Sequence, residues 1–168
     1  PANDGIDSDP NAALPDSTPH FSVSDTVSTT VSGKGEGPYK FTATWHNNAA
    51  ENWARVFKTY AGKPDLRYLE IGVFEGRSMI WMLENILTHE SSRVTAVDVF
   101  MADDYEQAFD ANVVATGVPE RITKLKGPSR RELRALSGAQ FDFIYIDGSH
   151  TAADVLADAV LSGDLLKT

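Results

Sequence analysis

The stretch 68-YLEIGVFEGRSMIWML-83 starts as a short apolar run holding one acid, passes two glycines four residues apart, and becomes a long amphipathic run. Glycine weakens regular structure and is kept where a backbone turns sharply or lets something come close. Gly72 and Gly76 therefore mark a turn between a strand over 68–71 and a helix over about 78–89. The turn sits between core elements, which raises the question of what it holds.

Outward from this turn the pattern alternates. A strand over 94–97 ends at Asp98, and a helix over about 102–116 stops at Gly117. A third strand covers 122–125. Ser129 and Glu132 then have capping-box spacing ahead of Leu133 and Leu136. A strongly apolar fourth strand covers 141–146, and Thr151 opens a last helix towards Leu166. Before the turn, Trp53, Val56, Phe57 and Tyr60 recur at helical spacing, with Asn48 and Glu51 at the start and Gly62 at the stop. Strand–helix repeats of this kind imply right-handed crossovers and an α/β fold, a parallel sheet with helices on both faces. Residues 1–38 are rich in Ser, Thr, Asp, Pro and Gly. They read as a low-complexity arm, with FSVSDTVSTTVS as one candidate strand, ahead of a domain over 39–168.

The 168 residues suffice for one domain with a sizeable core, and a 42% hydrophobic, 23% charged composition is globular. A net charge of −9 leaves no basic surplus for phosphates, so nucleic acid is a poor partner. The absence of cysteine removes disulfides, thiolate catalysis and zinc–thiolate sites. No apolar stretch approaches the roughly 18 residues that span a bilayer. A soluble, cytoplasmic protein is expected, although Pro1 in place of Met leaves a removed leader open.

Ligands of parallel α/β sheets bind beyond the carboxyl ends of the strands. Gly72, Gly76, Asp98 and Asp147 all fall there. Each has a plainer reading: a tight turn for a glycine, a helix cap or solvated turn for an acid. Their gathering at one edge favours a crevice. A dinucleotide fingerprint is G-x-G-x-x-G, whereas this turn reads E-I-G-V-F-E-G, with Glu70 in place of the first glycine and Glu75 before the last. Two carboxylates would repel a pyrophosphate. A ligand carrying an ammonium and a sulfonium suits them better, and Asp98 can accept hydrogen bonds from ribose hydroxyls.

LEIGVFEGRS, SSRVTAVDVF and FDFIYIDGSHTAADVLADAVLSGDLLK, in that order, resemble the class I S-adenosylmethionine-dependent methyltransferases, and within them small bacterial-type O-methyltransferases. The resemblance runs from about Trp45 to the end. It implies a Rossmann-like sheet with strand order 3-2-1-4, part of a seven-stranded whole. Glu70, Gly72, Val73 and Phe74 would bound the methionine part of S-adenosylmethionine, with Gly76 giving clearance. Ser78 would supply a hydroxyl or cap its helix. Asp98 would hold the ribose, with Val99 and Phe100 against the adenine. Many relatives place an acid near the adenine amino group after the third strand. Gly127-Pro128-Ser129 stands there instead, making Ser129 an adenine contact or a cap.

Methyl transfer to a hydroxyl needs the acceptor held in line and its proton removed. Asp147 and His150 are the catalytic candidates, and Asp147 also belongs to the cofactor set. Metal-dependent relatives place a carboxylate ligand at the position of Asp147, so Mg²⁺ is an open alternative, but a lone Asp binds it poorly. His46, Trp53 and Tyr60 lie where relatives build a lid or acceptor wall; helix core is the competing role for Trp53 and Tyr60. The chain stops where relatives enter a fifth strand, leaving the fourth as an apolar edge; a fragment, or a shortened protein whose edge a second copy or a partner chain covers, is the favoured explanation, with cover by the N-terminal arm the alternative. The expected function is methyl transfer to a small-molecule acceptor, with no nucleic-acid or membrane partner. A cofactor-binding module without turnover and an NAD-type oxidoreductase are the alternatives.

Overall fold

Four parallel strands carry the architecture: β1 (Arg67–Ile71), β2 (Arg93–Asp98), β3 (Ile122–Lys126) and β4 (Phe143–Ile146), in the order β3-β2-β1-β4. Helices α2 (Arg77–Asn85), α3 (Asp103–Ala115) and α4 (Ser129–Ala135) make the crossovers; α1 (Ala50–Phe57) precedes the sheet and α5 (Ala152–Gly163) follows it. This computed structural model describes residues 37–43, 46 and 49–167, all within one compact unit, Gly35–Thr168. The arm and its candidate strand over 1–36, Trp45 and the helix start at Asn48 lie outside the described residues.

β1 sits in the middle and is buried from Tyr68 to Ile71. Successive side chains of a strand point to opposite faces. On one face Tyr68 joins Val94 and Ala96 against Met79, Met82, Leu83 and Phe109. On the other, Leu69 and Ile71 join Val97, Leu133, Phe141 and Leu165. β4 pairs with β1 alone, and its four residues are half-buried. Aromatic rings before the sheet cover it: Phe57 and Tyr60 lie 5.0 and 4.9 Å from Phe143, and Trp53 lies 4.8 Å from Tyr145. Trp53 and Tyr60 thus serve packing.

Four local expectations change. α1 ends at Phe57, with residues 58–62 in turns, so Tyr60 lies beyond the helix and Gly62 is not its stop. α2 ends at Asn85, four residues early: the amides of Ile86 and Leu87 both return to the Met82 carbonyl. Beyond them the buried guanidinium of Arg121 takes the carbonyls of Leu87 and Ser92. The Ser129–Glu132 capping box does not form. Pro128 occupies the cap, Ser129 is the first helical residue, and its hydroxyl donates to Asp158 at 2.6 Å. At α5 the cap is as expected, with Thr151 accepting from the Asp154 amide. β4 begins at Phe143, while Phe141 forms a parallel bridge with Leu166.

Gly72 (φ 85°) is where the ends of β1 and β4 meet: a β-carbon there would lie 2.5 Å from the Gly148 Cα and overlap the Asp147 carbonyl. Gly117 is also left-handed (φ 74°) but has nothing within 4 Å of such a carbon. Gly117→Ala is expected to cost about 1–2 kcal/mol, the left-handed penalty alone. Gly72→Ala will cost clearly more, because two strand ends must separate. Urea denaturation compares them, and equal losses would contradict the packing described.

Candidate functional site

The strand register builds the site. Ile71 pairs with Val97 on one side and Ile146 on the other, so Gly72, Asp98 and Asp147 come next along one edge. The Gly72 amide donates to the Val97 carbonyl at 2.8 Å, and the Asp147 amide to the Ile71 carbonyl at 2.7 Å. A cavity of about 1090 Å³ opens beyond this row. Gly72, Val73, Phe74 and Ser78 form one part of its wall, Asp98 and Val99 another. Ser129, Asp147 and His150 also line it, so most of the residues singled out from sequence stand together. Glu70, Gly76 and Phe100 do not.

The glycine turn is held by Asp98. Gly72, Phe74 and Gly76 all have positive φ (85°, 51° and 86°), a backbone that L residues rarely adopt. One Asp98 oxygen accepts from the Val73 and Phe74 amides, each at 2.9 Å, and the other from the Phe100 amide at 2.7 Å. A carboxylate offers about four acceptor positions, so roughly one remains for a ligand. Asp98 thus braces the turn as well as facing the cavity, a role the sequence did not reveal. Gly76 is the left-handed cap of α2, and a β-carbon on it would stand 3.2 Å from the Phe109 ring. Its glycine serves the backbone and the packing of α3, not clearance for a ligand. Phe100 likewise packs on Phe109, rings 5.2 Å apart, inside the core.

Glu70 is fully buried behind Ser78. It accepts from the Tyr68 hydroxyl at 2.6 Å and, on its other oxygen, from the Ser78 hydroxyl. Burial above all pushes its pKa up to about 8, the two hydroxyls pull it back, and Asp147 and Asp98 raise it again. At neutral pH it mostly carries its proton, so it neither bounds a ligand nor offers it a negative charge. Glu75 is also committed: its two oxygens accept from the Thr42 amide and hydroxyl, each at 2.7 Å. Asn112, buried beside it, bonds the Glu75 carbonyl and both backbone groups of Lys40. Of the two acids in the turn, Glu70 is withdrawn from the cavity, while Glu75 lines it with both oxygens held by Thr42.

Asp147 is about half exposed and lies 3.9 Å from the Nε2 of His150, whose side chain is 86% exposed. Among the described residues no group of three or more His, Asp or Glu side chains gathers to hold a metal ion. Three further wall residues are Arg77 and Asp158, to which the sequence reading gave no role, and His46, which it named for an acceptor wall. Arg77 donates to the Ala43 carbonyl at 2.9 Å. His46 packs edge-on to Trp53 at 4.7 Å and has a buried Nε2 without a partner. Burial first, and then Arg77, lowers its pKa to about 4, so it is neutral at physiological pH. Asp158 is the third, on α5. Local sequence holds no signal for it, because only the packing of α5 on α4 turns that position inward.

Glu70 makes a pH signature. Its folded-state pKa of about 8 exceeds the ordinary 4.5, so the folded protein keeps a proton that the unfolded chain loses. Its contribution to stability must fall as pH rises through that window and level off above about 8. Glu70→Gln mimics the protonated acid. The stability of this variant relative to the parent should rise steadily from about pH 5 to about pH 8.5 in urea titrations. A constant difference would mean that Glu70 is ionised when folded.

The sequence profile of a family described as a methyltransferase domain matches residues 69–168. No curated protein sequence matches the chain. Among solved structures, the O-methyltransferase TomG of Streptomyces achromogenes, in complex with SAM, shares the fold at TM-score 0.57 and 19% identity, covering 76% of this chain and 53% of its own. An O-methyltransferase of Bacillus cereus in complex with SAH gives 0.53 and 19%, covering 74% and 54%. The SAH-bound methyltransferase PaMTH1 of Podospora anserina gives 0.54 and 22%, covering 74% and 50%. The chain spans about half the length of these structures. With the larger part of its length matched by one profile, and its sheet in the order that resemblance implied, the chain belongs to the methyltransferase domain family.

Proposed function

We propose that residues 39–168 form an S-adenosylmethionine-binding domain that transfers a methyl group to a small-molecule acceptor, at a hydroxyl. The observation that carries this reading is the cavity at the carboxyl edge, where Asp98 keeps an acceptor position beside the glycine turn. Gly72, Val73, Phe74 and Ser78 would hold the methionine half, Asp98 the ribose, and Val99 and Ser129 the adenine. When bound, the cofactor supplies the methyl group from its sulfonium. Asp147 adds a negative charge at the same rim, which favours a cationic ligand and disfavours a pyrophosphate. That electrostatic preference replaces the one read from Glu70 and Glu75.

In this reading His150 would accept the proton of an acceptor hydroxyl, with Asp147 at 3.9 Å to steady the charge it gains. Among the described residues Asp147 belongs to no group of three or more His, Asp or Glu side chains, and a lone Asp binds Mg²⁺ poorly, so this reading assigns no step to a metal. The acceptor is a small molecule in this reading, because a chain of net charge −9 has no surplus for a nucleic-acid backbone.

Calorimetry with S-adenosylmethionine, S-adenosylhomocysteine and NAD tests the cofactor. Binding of NAD alone would overturn the proposal in favour of an oxidoreductase. Asp98→Ala is expected to weaken S-adenosylhomocysteine binding by about 1.5–3 kcal/mol, the range for hydrogen bonds to a charged group. Unchanged affinity in a folded variant removes the ribose assignment. Transfer of labelled methyl to phenols, catechols and sugars tests turnover, and binding without transfer to any of them would favour a cofactor-holding module.

A further inference from the structure

Arg77 is a cation on the cavity wall that the proposed chemistry does not use. It is half-buried at the start of α2. A guanidinium carries five N–H donors in a planar fork. Here one donation goes to the Ala43 carbonyl at 2.9 Å, and the Phe41 ring lies 4.9 Å from the guanidinium carbon. No ion pair joins Arg77 among the described residues, although several acids line the same cavity. Glu75, two residues before it, turns both oxygens to Thr42. Asp154 is held at 2.8 Å by Arg130, which also lines the cavity. A charge partly withdrawn from water, with donors to spare, is suited to an anion that enters from outside.

A strip of packed rings leads from this guanidinium to the proposed base. The charge of Arg77 is felt at the imidazole of His46. His46 packs on Trp53 at 4.7 Å, and Trp53 on Tyr145 at 4.8 Å. Tyr145 stands two residues before Asp147, whose carboxylate bears on its hydroxyl, and Asp147 lies 3.9 Å from His150. His46 and Tyr145 both line the cavity. Its volume of about 1090 Å³ slightly exceeds the roughly 300–1,000 Å³ of pockets that hold one ligand, so an acceptor has room beside a cofactor.

The anion belongs to the acceptor and not to the cofactor's methionine. The turn proposed for the methionine half is Gly72 to Phe74 with Ser78, whereas the Arg77 guanidinium is drawn onto Phe41 and Ala43, in the segment that precedes α1. His46 comes from that same side. We infer that the acceptor is an aromatic hydroxy acid: its ring lies against His46 and Tyr145, its carboxylate pairs with Arg77, and its hydroxyl faces Asp147 and His150. This rests on the function proposed above and names the substrate class of that site. The carboxylate selects the acceptor at one end of the strip, and the methyl group is received at the other.

Calorimetry on the full chain saturated with S-adenosylhomocysteine compares the meta and para hydroxybenzoates with their neutral amides, which keep the ring and the hydroxyl. The parent protein should prefer at least one acid over its amide by roughly 10-fold or more, the worth of a hydrogen bond between charged groups. Arg77→Gln, which keeps a donor for the Ala43 carbonyl, should bring that ratio close to one. A purely structural Arg77 would lower stability in this variant without moving the ratio. Equal affinities of acid and amide in the parent, or binding of neither, overturn the inference and leave the proposed function standing. So does an unchanged ratio in folded Arg77→Gln; if its affinity for S-adenosylhomocysteine falls at the same time, the guanidinium serves the cofactor's own carboxylate. Should Arg77→Gln fail to fold, Arg77→Lys decides. Its ammonium lacks the planar fork, so the ratio should narrow, and an unchanged ratio overturns the inference. Failure of the parent to bind S-adenosylhomocysteine overturns both readings together.

Discussion

Where β1 and β4 end, the backbone of Gly72 lies against the Asp147 carbonyl and the Gly148 Cα with no room for a side chain between them. This contact lets the Asp147 amide reach the Ile71 carbonyl, so the two strands stay paired to the edge of the sheet. With β4 drawn in, Asp147 and His150 stand on the same cavity wall as the glycine turn. The left-handed φ of Gly72 then commits the chain to a turn that is left-handed again at Phe74 and Gly76. Asp98 offsets that unusual backbone by accepting three of the amides around it. Shape at the edge thus comes from main chain meeting main chain, and one carboxylate stabilises the result.

Charge is distributed around that edge by burial as much as by residue type. Glu70 lies in the same strand row that feeds the cavity, yet its wholly buried position favours the proton over the charge. Glu75 faces two donors of Thr42. Asp98, Asp147, Asp154 and Asp158 line the cavity together with Glu75, and they set its electrostatic character. The aromatic side near His46 is different, since burial there keeps the imidazole neutral beside Arg77. One cavity therefore has an acidic region along the strand ends and a more apolar region towards α1.

The fold was legible because its signals are local. Strand and helix periods differ, and each strand end carries a glycine or an acid within one residue of the sheet's edge, so the alternation and the row Gly72, Asp98, Asp147 could be anticipated from the residues, while the order β3-β2-β1-β4 followed only from the family resemblance. What failed depended on neighbours distant in sequence. Gly76 looked like clearance for a ligand until Phe109 on α3 was seen to press on it. Ser129 matched a cap until Asp158 on α5 offered its hydroxyl a charged partner. Glu70 belonged to the right motif but on the inward side of Ser78, a distinction that the alternation of a strand cannot make.

The short piece of chain from Tyr39 to Ala43 is stitched down at four places: to Glu75 in the turn, to Arg77 and Glu84 on α2, and to Asn112 on α3. Two of those anchors, Glu75 and Asn112, are themselves almost fully sealed from solvent. A version of the domain trimmed to begin after Ala43 would strand an acid and an amide in the interior with nothing to greet them, so the functional boundary lies upstream of the first helix and not at it.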